Sequence, residues 1–165
     1  MAKTIKVKLT DESINNAIKE LKQYKAWVLR KEAELRLRLA SIGATVASIQ
    51  FARAIYNGTN DVTVRVDDTG SVAVIYAEGE SVAFIEFGSG AKYGYGHPLA
   101  PELGFGPGTW SDGPDGKGHW DSDKGWYYGH NQHSYGNPPA QAMYQAVQRM
   151  TEEITMIAKE VFRTA

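Results

Sequence analysis

The stretch "VAFIEFGSGAKYGYGHPLAP", residues 82–101, decides how the chain is read. Residues 82–87 are apolar or β-forming apart from Glu86, which predicts a strand. Gly88, Gly90, Gly94 and Gly96 then follow in quick succession and deny the chain regular structure. Upstream, Val62, Val64 and Val66 alternate with Thr63 and Arg65, and "DDTG" (67–70) turns the chain. Val72, Val74 and Tyr76 alternate again before the turn "AEGE" (77–80). Residues 61–88 are therefore expected to form an antiparallel meander with residues 82–87 as its third strand.

Helical patterns flank this region. In the first, Ile14, Ile18, Leu21 and Val28 share one stripe, which Leu35, Leu39, Ile42, Val46 and Ile49 continue. "TDES" offers Thr10 or Asp11 as the cap, so one long helix is predicted over residues 11–57. A second apolar face, with Leu37, Ala40, Ala44, Ala47, Phe51 and Ala54, lies opposite the first. A helix apolar on two sides buries both, against its own domain or against another subunit. In the second pattern Met143, Val147, Met150, Ile154, Ile157 and Val161 recur at helical spacing, predicting a helix over residues 139–163. Ahead of the first helix, Ile5, Val7 and Leu9 alternate with Lys6 and Lys8 as in a short strand with one wet face.

The 165 residues suit a single domain, 1–165. The expected fold is α+β: a small antiparallel sheet of three to four strands, packed by a long N-terminal and a C-terminal helix. Between sheet and last helix, residues 89–138 form an extended loop rich in glycine and aromatics. Net charge is −1, which gives no general attraction to nucleic acid or anionic membrane. The charge is unevenly placed, with 11 Lys/Arg against 5 Asp/Glu in residues 1–57 and 7 against 14 in the remainder. That asymmetry fits either a solvated basic helix face or a basic surface meeting an acidic one on the next subunit. Without cysteine there is no disulfide framework and no thiolate chemistry. Neither a signal peptide nor a membrane span is expected.

Catalytic constellations are not legible. Ser89 in "FGSGA" does not sit in a G-x-S-x-G elbow, because residue 87 is Phe. Glu86 could pair with Asp112, Asp121 or Asp123 as a glycosidase-like couple, but its plainer reading is local hydrogen bonding at the strand end. His130 and His133 in "HNQH", with His119, Asp121 and Asp123, match no zinc spacing, and "DSDKG" (121–125) lacks the later glutamate of a calcium loop. No enzyme activity, cofactor or metal is expected.

Two motifs together suggest a family. "DVTVRV" followed by "VAVIYAEGESVAFIEFGSG", and later "GNPPAQAMYQAV" (136–147), resemble the tail-completion or head–tail joining proteins of the neck of long-tailed bacteriophages and prophages. The strand-end motif of that family corresponds here to Phe84, Glu86, Phe87, Gly88 and Gly90, and the proline-containing segment to the entry into the last helix. The resemblance spans roughly residues 10–165. It implies a structural virion protein at the head–tail interface, made in the host bacterial cytoplasm and acting as a homo-oligomeric ring. Six copies would follow from the six-fold tails of such phages. Its partners would be head-closure or connector, tail-terminator and tail-tube proteins, with DNA passing through the ring and no sequence-specific contact to it. A tail terminator capping the tail tube is the close alternative. A carbohydrate-binding or hydrolytic domain using the aromatic loop is the alternative of another class.

On the ring reading, Leu37 and Phe51 on the long helix are expected at subunit contacts, as are Trp110, Trp120, Trp126, Tyr127 and Tyr128 in the loop. Fixing a residue's backbone costs about 1–2 kcal/mol, whereas burying a large apolar side chain returns about 1.5–3 kcal/mol. Five aromatics cannot order residues 91–135 alone, so the loop is expected to order on assembly.

Overall fold

The computed structural model describes residues 4–54, 60–90, 93, 96–103, 126–128 and 132–163. In chain order the elements are α1 (Asp11–Arg53), β1 (Thr63–Asp68), β2 (Ala73–Glu78), α2 (Val82–Phe87), β3 (Trp126–Tyr128), β4 (Gln132–Ser134) and α3 (Ala142–Arg163). The fold is α+β, as expected, with a smaller sheet. β1 and β2 form one antiparallel hairpin, with Thr63 opposite Glu78 and Asp68 opposite Ala73. β3 and β4 form another, inside the stretch expected to lack secondary structure, with Trp126 opposite Ser134.

α1 begins where the sequence predicts. The Thr10 hydroxyl accepts from the Ser13 amide, and Asp11 and Glu12 lie in the first turn, where the helix dipole favours negative charge. The helix ends at Arg53, and the Asn60 side-chain amide donates to the carbonyls of Phe51 and Ala54. At about 1.5 Å per residue, α1 is about 65 Å long and α3 about 33 Å. The two run antiparallel. Gln50 Nε2 donates to Gln145 Oε1 at 2.8 Å, Arg38 reaches Glu160 at 3.5 Å, and the Trp27 ring meets Phe162 edge-on at 5.8 Å. Since α3 ends at Arg163, the first sixteen residues or so of α1 project past it.

Close approach is made possible by small residues. Ala40, Gly43 and Ala47 are buried on α1, as are Ala142 and Ala146 on α3. A Cβ built on Gly43 would sit 2.6 Å from Ile75 Cδ1 and 2.7 Å from Met150 Sδ, so α3 and β2 both close on that point. The innermost cluster is Ala47, Phe51, Ile85, Ala142 and Ala146, with Val62, Val64, Ala77 and Met143 packed around it. Ala40, Ala47, Phe51 and Ala54 of the second apolar face of α1 thus belong to the chain's own core. Phe51, expected at a subunit contact, is 1% exposed within it, whereas Leu37 is 46% exposed.

Two expected strands do not form. Residues 4–9 carry the alternating pattern but take no regular structure. Residues 82–87 form the short helix α2 instead of a third strand, so the meander stops after β2. An almost continuous apolar run gives no period to choose by. Here the ends decide: the Asp61 carboxylate accepts from the Glu80 and Ser81 amides just before the helix, and Gly88, at φ +77°, ends it. Ile85 and Glu86 are buried side by side, which a strand covered on one face only would not do.

Candidate functional site around Glu86

The two motifs singled out in the sequence are the halves of one joint. At the end of α2, the carbonyls of Ile85 and Glu86 accept from the amides of Ala140 (2.7 Å) and Gln141 (3.2 Å). In return the Glu86 carboxylate accepts from the Met143 amide (2.8 Å, Oε2) and the Tyr144 amide (3.0 Å, Oε1), in the first turn of α3. Each helix end supplies what the other lacks: α2 has unpaired carbonyls, and α3 has unpaired N–H groups. The negative carboxylate also sits at the positive end of the α3 dipole. A two-bond bridge between Ser89 and Asn137 extends the joint, at 3.0 and 3.1 Å.

Backbone contact this close explains the glycines. A Cβ on Gly136, which has φ +95°, would lie 1.9 Å from the Ser89 carbonyl oxygen. On Gly88 it would meet the Asn137 carbonyl at 2.8 Å. Pro138 and Pro139, which have no N–H to satisfy, fill the segment between the bridge and the helix.

His97, which the sequence reading passed over, completes the joint. Its Nε2 lies 3.1 Å from Glu86 Oε1, and the Leu99 amide donates to its Nδ1 at 3.1 Å. With Nδ1 accepting, the ring proton sits on Nε2 and is donated to Glu86. His97 is 3% exposed and Glu86 5%. The imidazole packs between Phe87 and Tyr144, at ring distances of 4.5 and 5.6 Å, and Gln141 Nε2 donates to the Gly96 carbonyl. Residues 96–103 are thereby held against the start of α3. Nothing in the spacing of the four histidines distinguishes His97; only its position, eleven residues after Glu86 in a segment that folds back, does.

Both Glu86 oxygens and both His97 nitrogens have partners inside the chain, Oε1 accepting from His97 and Tyr144 and Oε2 from Met143. Among the motif residues Phe84 differs, being 40% exposed beside the buried Ile85.

Uncovered apolar surface lies elsewhere. On the projecting part of α1, Ile14, Ile18, Leu21 and Tyr24 are all exposed. Farther along, an open groove of about 530 Å³ runs between α1 and β1, lined by Leu37, Ser41, Ala44, Thr45, Ser48, Ile49 and Val66. Of the expected loop contacts, Trp126, Tyr127 and Tyr128 form β3, while Trp110 and Trp120 lie outside the described residues. Most of the metal candidates, His119, Asp121, Asp123 and His130, also lie outside them; His133 is exposed, its ring edge-on to Tyr135. Among the described residues no helix is long and apolar enough to cross a membrane. No family model, curated protein or solved structure matches the chain.

Proposed function

We propose that the chain is a structural subunit of the bacteriophage neck, joining head to tail as a homo-oligomeric ring. The reading rests on the resemblance of residues 82–90 and 136–147 to that family. The structural observation that carries it is α1, a helix about twice as long as the partner it packs on, whose excess length bears exposed Ile14, Ile18, Leu21 and Tyr24. Ala17 in that length is buried, but the exposed apolar residues beside it suit a subunit that meets its neighbours. The joint supports the same reading, because Glu86 and His97 are spent on fixing α2, α3 and residues 96–103 in one arrangement. Rings need subunits of one shape.

The test is the composition of the particle. Phage particles purified from a strain carrying the gene should contain the chain at a few copies per virion by quantitative mass spectrometry. Removing the gene should leave heads and tails that do not join. Normal joined particles without the chain would refute the proposal, and turnover of peptidoglycan by the purified protein would favour the hydrolytic alternative.

A further inference from the structure

Three observations converge on residues 4–9, "TIKVKL". They alternate apolar and basic residues as an edge strand does, yet have no ladder partner. Val7 is 53% exposed and Leu9 98%. Meanwhile the β1–β2 hairpin has only two strands, so each has an open edge among the described residues. α1 covers one face of the hairpin but not its edges, and an open edge is a template for another strand.

The edge of β1 is the better prepared of the two. Beside it runs the groove lined by Leu37, Ala44, Ile49 and Val66, where a third strand would lay its inward side chains. The register of the hairpin puts Val66 and Val64 on the face toward α1, and Thr63, Arg65 and Asp67 on the outer face. A strand with Ile5, Val7 and Leu9 turned inward would fill the groove and set Lys6 and Lys8 on the outer face near Asp67. Charge agrees: residues 61–80 hold five carboxylates against one arginine, while both charged residues of the 4–9 segment are lysines.

The segment cannot reach its own sheet. From Thr10 to Leu37 the helix rises about 40 Å at 1.5 Å per residue, whereas six extended residues span at most about 20 Å. We infer that residues 4–9 of one copy add as a strand to the β1 edge of a second copy, filling the groove between α1 and β1. Such an exchange is head-to-tail, with different patches on the two partners, and it closes into a ring when the rotation between copies allows. The inference deepens the ring reading and rests on it, since it names what passes between neighbouring subunits.

The absence of cysteine makes the test clean. Val7→Cys protein is mixed, under mild oxidation, with Ser41→Cys or Ser48→Cys protein, two groove positions seven residues apart that cover the possible registers. A disulfide between the two chains is expected for at least one pair and not for Val7→Cys with Gln148→Cys on α3. A chain carrying both Val7→Cys and the reactive groove cysteine should give a ladder of linked copies. Deleting residues 2–9 should abolish oligomers while the melting curve stays cooperative. No cross-link at either groove position, or a cross-link only within one chain, would overturn the inference. Unchanged oligomers after the deletion would overturn it and leave the ring standing. A wild type that is monomeric at every concentration would overturn both.

Discussion

At the scale of single residues, Glu86 explains most about this chain. Its carboxylate replaces water at two N–H groups of α3 and accepts from a buried imidazole. Glu86→Ala would leave one buried and two part-buried donors without their acceptor, at about 1–3 kcal/mol for the buried one and less for the others, so a loss of about 2–4 kcal/mol in urea unfolding is expected. Glu86→Gln keeps one acceptor but turns an amide N–H toward a donor, and should fall between the two. Wild-type stability in Glu86→Ala would show that the joint holds nothing together. The sequence made Glu86 conspicuous as the one charge in an apolar run, and a hydrogen-bonding role was legible, but the bonds are not the local ones expected at a strand end. Its partners on α3 were not legible, because they lie 57 and 58 residues away in a segment whose approach is set by tertiary packing. A second residue-scale prediction concerns acid. The Asp61 carboxyl is held below its ordinary value of 3.8, first by the Ser81 side chain and next by the Glu80 amide. A carboxylate with a depressed pKa contributes fully above its unfolded value and loses that contribution as pH falls through the folded one. Asp68 is lowered by the Gly70 amide and then Arg36, and Glu78 by Arg65, so they act in the same direction. Stability should therefore fall below about pH 4, and Asp61→Asn should make that fall shallower when urea midpoints at pH 6 and pH 3 are compared. An unchanged slope would remove Asp61 from the account.

Elements were legible in proportion to their length and period. α1 and α3 repeat their apolar stripes over many turns, and α1 starts at the expected Thr10 cap, although it ends at Arg53 and not at 57, and α3 begins at Ala142, three residues after the expected 139. The β1–β2 hairpin alternates cleanly. Residues 82–87 do not: six mostly apolar residues suit a strand or a buried helical turn equally, and the bonds to Asp61, Ala140 and Gln141 that choose the helix are all distant in sequence. Residues 4–9 failed for the opposite reason, since their pattern is a strand's but no edge lies within reach. Burial also divides the two positions on α1 that the sequence put together. Phe51 is in the core and Leu37 borders an open groove. Phe51→Ala should cost about 3–5 kcal/mol of folding stability, measured by urea unfolding of the purified chain. Leu37→Glu, at an exposed site, should change it by no more than about 0.5 kcal/mol. Equal effects from the two substitutions would contradict the placement of the core.

At the scale of the whole molecule, the parts share one logic. The core is small and built on alanine and glycine so that α3 and the hairpin can close on α1, and the joint at Glu86 fixes their arrangement. What is left over among the described residues is exposed apolar length on α1, an open sheet edge and a strand-like segment with no ladder partner. A subunit of a ring would cover all three with its neighbours. The most direct measurement is native mass spectrometry of the wild-type chain across a wide concentration range, with Leu37→Glu alongside. The account predicts a closed oligomer of six copies for the wild type, and for Leu37→Glu an assembly weakened by roughly tenfold, about 1.4 kcal/mol, with the monomer still folded. A wild type that stays monomeric at every concentration, or an open series of sizes with no closed species, would contradict it.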